Sequence, residues 1–152
     1  MPVTGVIGRG PTRPLCLTVG GLRFARVSSD SSSSGLVAAT HEFSCSLCGA
    51  VAATVTVCRA EDHASLVVSG FLGHSTTRLP LLALEPLAGS VRRGDAPALL
   101  SVDPEYAPFY CPQCASVFCR GHWRTWSVFD DDGWHDSIRG TCPNGHERQL
   151  ED

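Results

Sequence analysis

Four short pairs of cysteine and histidine residues constrain the fold of this 152-residue chain more than any other feature. Six of the eight cysteines lie in these pairs, whose members are separated by two residues, or by three in the last pair. This short separation lets two side chains of one tight turn reach the same cation. The pairs are Cys45 and Cys48, Cys111 and Cys114, Cys119 and His122, and Cys142 and His146.

Thiolates and imidazoles at this spacing are typical of zinc sites, and eight ligands fill two tetrahedral sites. Gly49, Pro112 and Pro143 lie beside ligands and favour the tight turns that such sites need. Disulfides, redox-active thiols and iron–sulfur clusters are the alternatives. A reducing cytosol disfavours disulfides, and the βαβ setting of a redox Cys-x-x-Cys pair is missing. We therefore expect two Zn²⁺ ions per chain.

The assignment of pairs to ions is open among three partitions. Cys114 and Cys119 are five positions apart, and an extended strand separates such residues by about 16 Å, so we expect them on different ions. A sequential partition, which the spacing favours, joins the first two pairs on one ion and the last two on the other. A crossed partition exchanges the middle pairs. In the third, residues 111–122 fold around a single ion.

Each expected site is closed by four protein ligands, which is typical of structural zinc, whereas catalytic zinc keeps a position for water. The nucleotide-deaminase signature is not matched, because His41 and Glu42 are adjacent and Tyr110 precedes Cys111. We therefore name no catalytic residue and favour a role other than catalysis. A zinc-dependent hydrolase with one open metal site is the alternative.

Two further motifs suggest other chemistry. Residues 142–148 match the Cys-x5-Arg loop of cysteine phosphatases, but only four residues follow Arg148, too few for the helix that would bind phosphate. The acidic run 130–132 before Gly133 suggests a calcium loop, but no glutamate follows at a suitable spacing. We interpret this run as the turn of a hairpin.

Short β-branched runs predict a mainly β fold, with strands near residues 53–57 and 65–69 and a hairpin over 127–134. Two prolines confine residues 79–86 to a sheet edge or a loop, and residues 98–102 fit either a strand or a brief helix. We expect one small, antiparallel, zinc-stabilised and zinc-ribbon-like domain over residues 41–152.

Residues 1–40 form a separate N-terminal segment in this interpretation. Within it, residues 15–27 predict a β-hairpin because two alternating runs flank Gly20-Gly21, and the serine-rich residues 28–35 predict a flexible linker. The start of the chain has no continuous apolar run, so we expect neither a secretory signal nor a membrane span, and a cytoplasmic location.

Aromatic residues are concentrated between Tyr106 and Trp134, a stretch that holds all three tryptophans. They could pack around the metal sites, because small zinc domains have little other core. Alternatively, they could form a pocket for a peptide, a cation or a small ring. We name Trp123, Trp126 and Trp134 as candidate ligand-binding residues.

The first two cysteine pairs, separated by about sixty residues of β-rich chain, resemble the β-tent zinc domains of the Yippee and cereblon type. The likeness covers residues 41–127 and includes the run Cys111-Pro-Gln-Cys114-Ala-Ser before an aromatic-rich stretch. It implies a β-tent in which one zinc joins both Cys-x-x-Cys pairs, and a tryptophan cage for cyclic imides. The pairs 119/122 and 142/146 are not part of that pattern. We do not transfer the bound small molecule of that family to this chain.

The charge pattern bears on the class of partner. All 12 basic residues are arginines, the acidic residues number 15, and the formal net charge is −3. A nucleic-acid-binding protein would show a dense basic stripe, whereas these arginines are dispersed, so a nucleic-acid-binding zinc module ranks third. We expect a protein with two structural zinc ions that binds a protein, a peptide or a small molecule.

Overall fold

The computed structural model describes residues 36–152, and the prediction of a mainly β, antiparallel fold is confirmed. The first sheet has four strands in the order β1-β2-β3-β4. Its central strands carry mostly β-branched and small side chains that are buried along β2 and alternate along β3. The strands are β1 (Leu36–Ser44), β2 (Val51–Arg59), β3 (Ala64–Ser69) and β4 (His74–Leu79).

Two helices follow the first sheet: α1 (Leu84–Arg93), which is preceded by a 3-10 turn at Leu81–Ala83, and α2 (Ala96–Val102). Helix α1 packs on β1 and β2. The side chains that it buries recur at helical spacing, namely Leu84, Leu87, Ala88 and Val91. The helix ends at Gly94, whose φ of 64° is left-handed.

The expectation that prolines confine residues 79–86 to a sheet edge or loop is wrong for most of this segment. Pro80 precedes the 3-10 turn, and Pro86 lies in the first turn of α1. The first N–H groups of a helix have no partner within it, so proline is tolerated there. The open choice over residues 98–102 is resolved as helix, because the Asp95 carboxylate accepts the Ala98 N–H (3.0 Å) as an N-cap.

The C-terminal part of the described chain has a two-stranded and a three-stranded antiparallel sheet, the latter in the order β7-β8-β9. The predicted hairpin turn is confirmed: Asp130 Oδ1 accepts the N–H groups of Asp132 and Trp134, and Gly133 has a φ of 82°. The strands are β5 (Tyr110–Cys111), β6 (Ser116–Val117), β7 (Arg124–Phe129), β8 (His135–Thr141) and β9 (Glu147–Glu151).

A row of buried aromatic rings joins the four-stranded sheet to the C-terminal part of the described chain. Phe43 on β1 contacts Phe109 (centroids 4.7 Å apart), and Phe71, in the turn after β3, contacts both Phe109 (6.4 Å) and Trp123 (6.1 Å). Phe109 and Trp123 flank the segment that carries four of the predicted metal ligands. The core therefore positions that segment against the first sheet.

Strand β1 includes residues 36–40, which were assigned above to the N-terminal segment, so these residues belong to the sheet. The hairpin predicted at 15–27 and the linker at 28–35 lie outside the described residues. Among residues 36–152, no helix has the length and apolar character needed to cross a membrane.

Candidate metal centres

The first Cys₃His cluster joins the turn between β1 and β2 to the segment before β7. Cys45 and Cys48 lie in that turn, where the Cys45 N–H donates to the Ala50 carbonyl (2.8 Å) and the Gly49 N–H to the Cys45 carbonyl (2.9 Å). A 3-10 turn at Arg120–His122 brings the other two ligands to the same side. The members of this first cluster are Cys45, Cys48, Cys119 and His122.

The second Cys₃His cluster joins the β5–β6 turn to the turn between β8 and β9. In the latter, the Cys142 N–H donates to the His146 carbonyl and the Gly145 N–H to the Cys142 carbonyl, each at 2.9 Å. Gly145 has a φ of 87°, which permits this tight turn. The members of the second cluster are Cys111, Cys114, Cys142 and His146.

All eight predicted ligands thus converge, but the favoured sequential partition is wrong. The two Cys-x-x-Cys pairs, which the β-tent likeness also placed on one ion, lie in different clusters, and the structure has the crossed partition. The cause is the packing of the β1–β2 turn on β6, where the Ser46 N–H donates to the Val117 carbonyl (2.8 Å). Cys119, two residues beyond Val117, thereby comes close to Cys45 and Cys48.

The spacing of the ligand atoms matches a zinc tetrahedron in both clusters. Zinc–ligand bond lengths place two sulfurs about 3.8 Å apart, and a sulfur and a nitrogen about 3.6 Å apart. The Sγ atoms of Cys48 and Cys119 are 3.7 Å apart, as are those of Cys114 and Cys142. Distances from thiol sulfurs to His122 Nδ1 run from 3.1 to 3.9 Å, and those to His146 Nδ1 from 3.2 to 3.7 Å.

Backbone amides favour a thiolate in each cluster. Burial raises the pKa of the Cys45 thiol, but N–H groups of the surrounding backbone, that of Cys119 foremost, outweigh it and lower the pKa to about 6. In the same way, burial raises the pKa of Cys142, while the backbone at His146 and Asn144 lowers it overall to about 7. Amides that already point at these sulfurs spread the negative charge that a metal-bound thiolate carries.

Two residues that the sequence analysis did not connect with a metal site support the second cluster. The Asn144 side chain directs its amide at the Sγ of Cys114 (3.2 Å). The Arg148 guanidinium donates to the carbonyl oxygens of Tyr110 (2.6 Å), Pro104 and Ala107. Because these carbonyls precede Cys111, Arg148 fixes the backbone that leads into the cluster. The sequence analysis noted Arg148 only as part of the Cys-x5-Arg motif. That motif does not predict that Arg148 holds the backbone before Cys111.

The three candidate tryptophans lie in different surroundings. Trp123 is buried against Phe71, and its Nε1 has no hydrogen-bond partner among the described residues. Trp126 on β7 is 38% exposed, and Trp134 in the hairpin turn is 75% exposed. Trp123 therefore belongs to the core, and Trp126 and Trp134 remain accessible to a ligand.

Residues 36–152 match the family described as a domain of unknown function, DUF8328, and the chain belongs to that family. No curated protein and no solved structure matches the chain.

Proposed function

We propose that this member of the DUF8328 family binds two Zn²⁺ ions, one in each Cys₃His cluster, and that both ions are structural. One observation carries the proposal: in each cluster four ligand atoms, three sulfurs and one imidazole nitrogen, lie within 4.8 Å of one another. Thiolate and imidazole ligands together select Zn²⁺ over hard cations such as Mg²⁺ or Ca²⁺.

Each ion would tie together segments that are distant in sequence. The first would join the β1–β2 turn to residues 119–122, and the second would join residues 111–114 to the β8–β9 turn. The short strands β5, which contains Cys111, and β6 have two residues each, and they contribute little pairing of their own. Folding of this half of the domain is therefore coupled to metal binding.

The closed ligand sets favour a structural role over hydrolysis. A hydrolytic zinc holds a water or hydroxide in a position that no protein ligand takes. In both clusters a fourth protein ligand converges with the other three, so a tetrahedral ion would be saturated. For this reason we rank the zinc-dependent hydrolase second.

We further propose that the zinc-held scaffold serves to bind a protein or peptide. Several large apolar side chains of residues 36–152 are exposed, and five of them fall in two segments of the chain. Leu47 and Val51 flank the first cluster, and Trp126, Phe129 and Trp134 lie on the β7–β8 hairpin. A concentration of exposed apolar side chains on a folded domain commonly marks an interaction surface.

Metal analysis of the native full-length chain tests the structural role. We expect native mass spectrometry to find two zinc ions, and a strong chelator to remove both ions together with the circular dichroism signal of the fold. A metal-free protein with an unchanged spectrum would contradict the proposal.

Replacement of zinc by cobalt separates the structural role from the hydrolase. Four-coordinate thiolate sites give an intense cobalt spectrum that small anions do not alter. A five-coordinate spectrum, or one that changes when azide is added, would reveal an open position and favour the hydrolase.

A further inference from the structure

Strand β7 forms an open edge of the three-stranded sheet. It pairs with β8 on one side, and among residues 36–152 no strand pairs with its other side. None of the backbone hydrogen bonds outside regular elements involves the N–H or C=O groups of residues 125–129 in the described chain. An edge of this kind offers unpaired donors and acceptors to another strand.

The hydrogen bonding of the hairpin shows which groups face outward. The Asp130 N–H donates to the Trp134 carbonyl (2.9 Å), so Asp130 faces β8. Successive residues of an antiparallel strand alternate between facing the partner and facing away. The extra residue at the irregularity near Phe129 lies on β8, where Asp136 is skipped, so the alternation along β7 is unbroken. The outward-facing groups therefore belong to Thr125, Ser127 and Phe129.

Part of β7 borders a cavity. A cavity of about 490 Å³ is lined by Thr125, Trp126 and Ser127 of β7, by Ile138 of β8, and by Phe71, Leu72 and Arg120. The side chains at the middle of β7 are therefore only partly covered by the rest of the described chain. Residues 125–129 include no proline and no charged residue, which are common devices against such pairing.

Charge is distributed along β7 in a self-complementary way. Arg124 lies at its start, is exposed, and has no ion-pair partner within residues 36–152. Asp130 follows its end and is also exposed. A strand with opposite charges at its two ends complements a copy of itself only when the two strands run antiparallel.

We propose that this edge joins two copies of the chain in an antiparallel pair, with the twofold axis at Ser127. This register pairs all three outward-facing residues, because Ser127 then lies opposite its counterpart and Thr125 opposite Phe129 of the second copy. The same register sets Arg124 opposite Asp130 of the second copy, and Trp126 opposite Val128.

The pairing would also cover side chains that the single chain exposes. Trp126 is 38% and Phe129 is 60% exposed. Trp126 would pack on Val128 of the second copy, and Phe129 on the methyl group of Thr125, both of which are favourable cross-strand contacts. A twofold interface of this type is closed, so it gives a dimer and not a fibre.

Sedimentation equilibrium of the zinc-loaded full-length chain, over low to high micromolar concentrations, tests the proposal. We expect a mass that rises towards twice 16.2 kDa. We also expect amide exchange at Thr125, Ser127 and Phe129 to slow as the dimer forms. A monomer at all concentrations would overturn the proposal. If the chain is a monomer and these amides exchange slowly, another part of the chain covers the edge. If the chain is a monomer and they exchange fast, the edge is uncovered, and its partner is a different protein.

Single substitutions on β7 test whether this strand forms the contact surface of the dimer. Ser127→Pro removes an outward N–H and keeps the bonds to β8, so we expect a monomer, whereas Ser127→Ala keeps the N–H and should dimerise as before.

Arg124→Glu places two carboxylates opposite each other and should weaken the dimer about tenfold. Arg59→Glu, at an exposed site on the other sheet, is the control. A Ser127→Pro protein that keeps both metals and its circular dichroism spectrum but remains dimeric would overturn the proposal. If that variant misfolds, an Arg124→Glu dimer as tight as the Arg59→Glu dimer would overturn it.

Discussion

The two Cys₃His clusters have the same ligand types but lie in different surroundings. In the first cluster Cys48 is exposed, and Cys119 and His122 are half-buried. In the second, Cys111 and Cys142 are both buried. Two sites with one chemistry therefore differ in how easily water, protons or a chelator reach the ligands.

The clusters also differ in what supports their ligands from outside. Asn144 contacts the Sγ of Cys114 in the second cluster, and Arg148 fixes the chain before Cys111 through three carbonyl oxygens. The first cluster depends on its own turns and on the bond from Ser46 to Val117. Outer hydrogen bonds of this kind raise metal affinity, so of the two proposed ions we expect the second to be held more tightly.

The largest effect is expected from Cys111→Ala, which removes a fully buried ligand of the second cluster. Structural zinc contributes about 10–16 kcal/mol to folding, as much as the whole stability of a typical domain. We therefore expect residues 36–152 to lose their circular dichroism signal and their cooperative thermal transition. Ser75→Ala, at an exposed position on β4, is the control. A folded Cys111→Ala protein with two bound zinc ions would contradict the assignment.

A smaller effect is expected from Cys48→Ala, which removes the exposed ligand of the first cluster. The zinc content should fall from two ions to one, because the second cluster shares no ligand with the first. Native mass spectrometry measures this change, and far-ultraviolet circular dichroism should retain most of the signal. Loss of both ions would show instead that the clusters fold as one unit.

Next in size is Arg148→Met, which keeps the side-chain length but removes the donors to Tyr110, Ala107 and Pro104. Partly buried carbonyl groups left without donors cost about 2–3 kcal/mol in total. Urea unfolding of the zinc-loaded protein measures this loss. Arg59→Met, at an exposed position, should change stability by less than about 0.5 kcal/mol. Equal stability of the two variants would mean that Arg148 does not support the second cluster.

The smallest effect on stability is expected from Asn144→Ala, which removes the amide directed at Cys114. Loss of such a contact lowers metal affinity by about tenfold, since the thiolate charge is less well balanced. Competition with a coloured chelator measures the affinity of each ion, and only the second should weaken. Asn144→Asp should weaken it further, because a carboxylate adds negative charge beside the sulfur. If the first ion weakened instead, the assignment of Asn144 would be wrong.

Much of the fold could be read from short-range patterns. The β-branched runs in β2 and β3 and the Asp130–Gly133 turn were predicted, since strand and turn preferences act over a few residues. Helix α1 was missed because two prolines masked its pattern, although Pro86 lies in a first turn, where no N–H is needed.

The sequence alone determined which eight residues converge, because ligand pairs two or three residues apart approach one cation whatever surrounds them. The tertiary structure decided which pairs meet. The bond from Ser46 to Val117 brings the β1–β2 turn to Cys119, and long-range packing of this kind leaves no mark in local spacing. Burial likewise separated Trp123 from Trp126 and Trp134, since exposure depends on what the rest of the chain places over each ring.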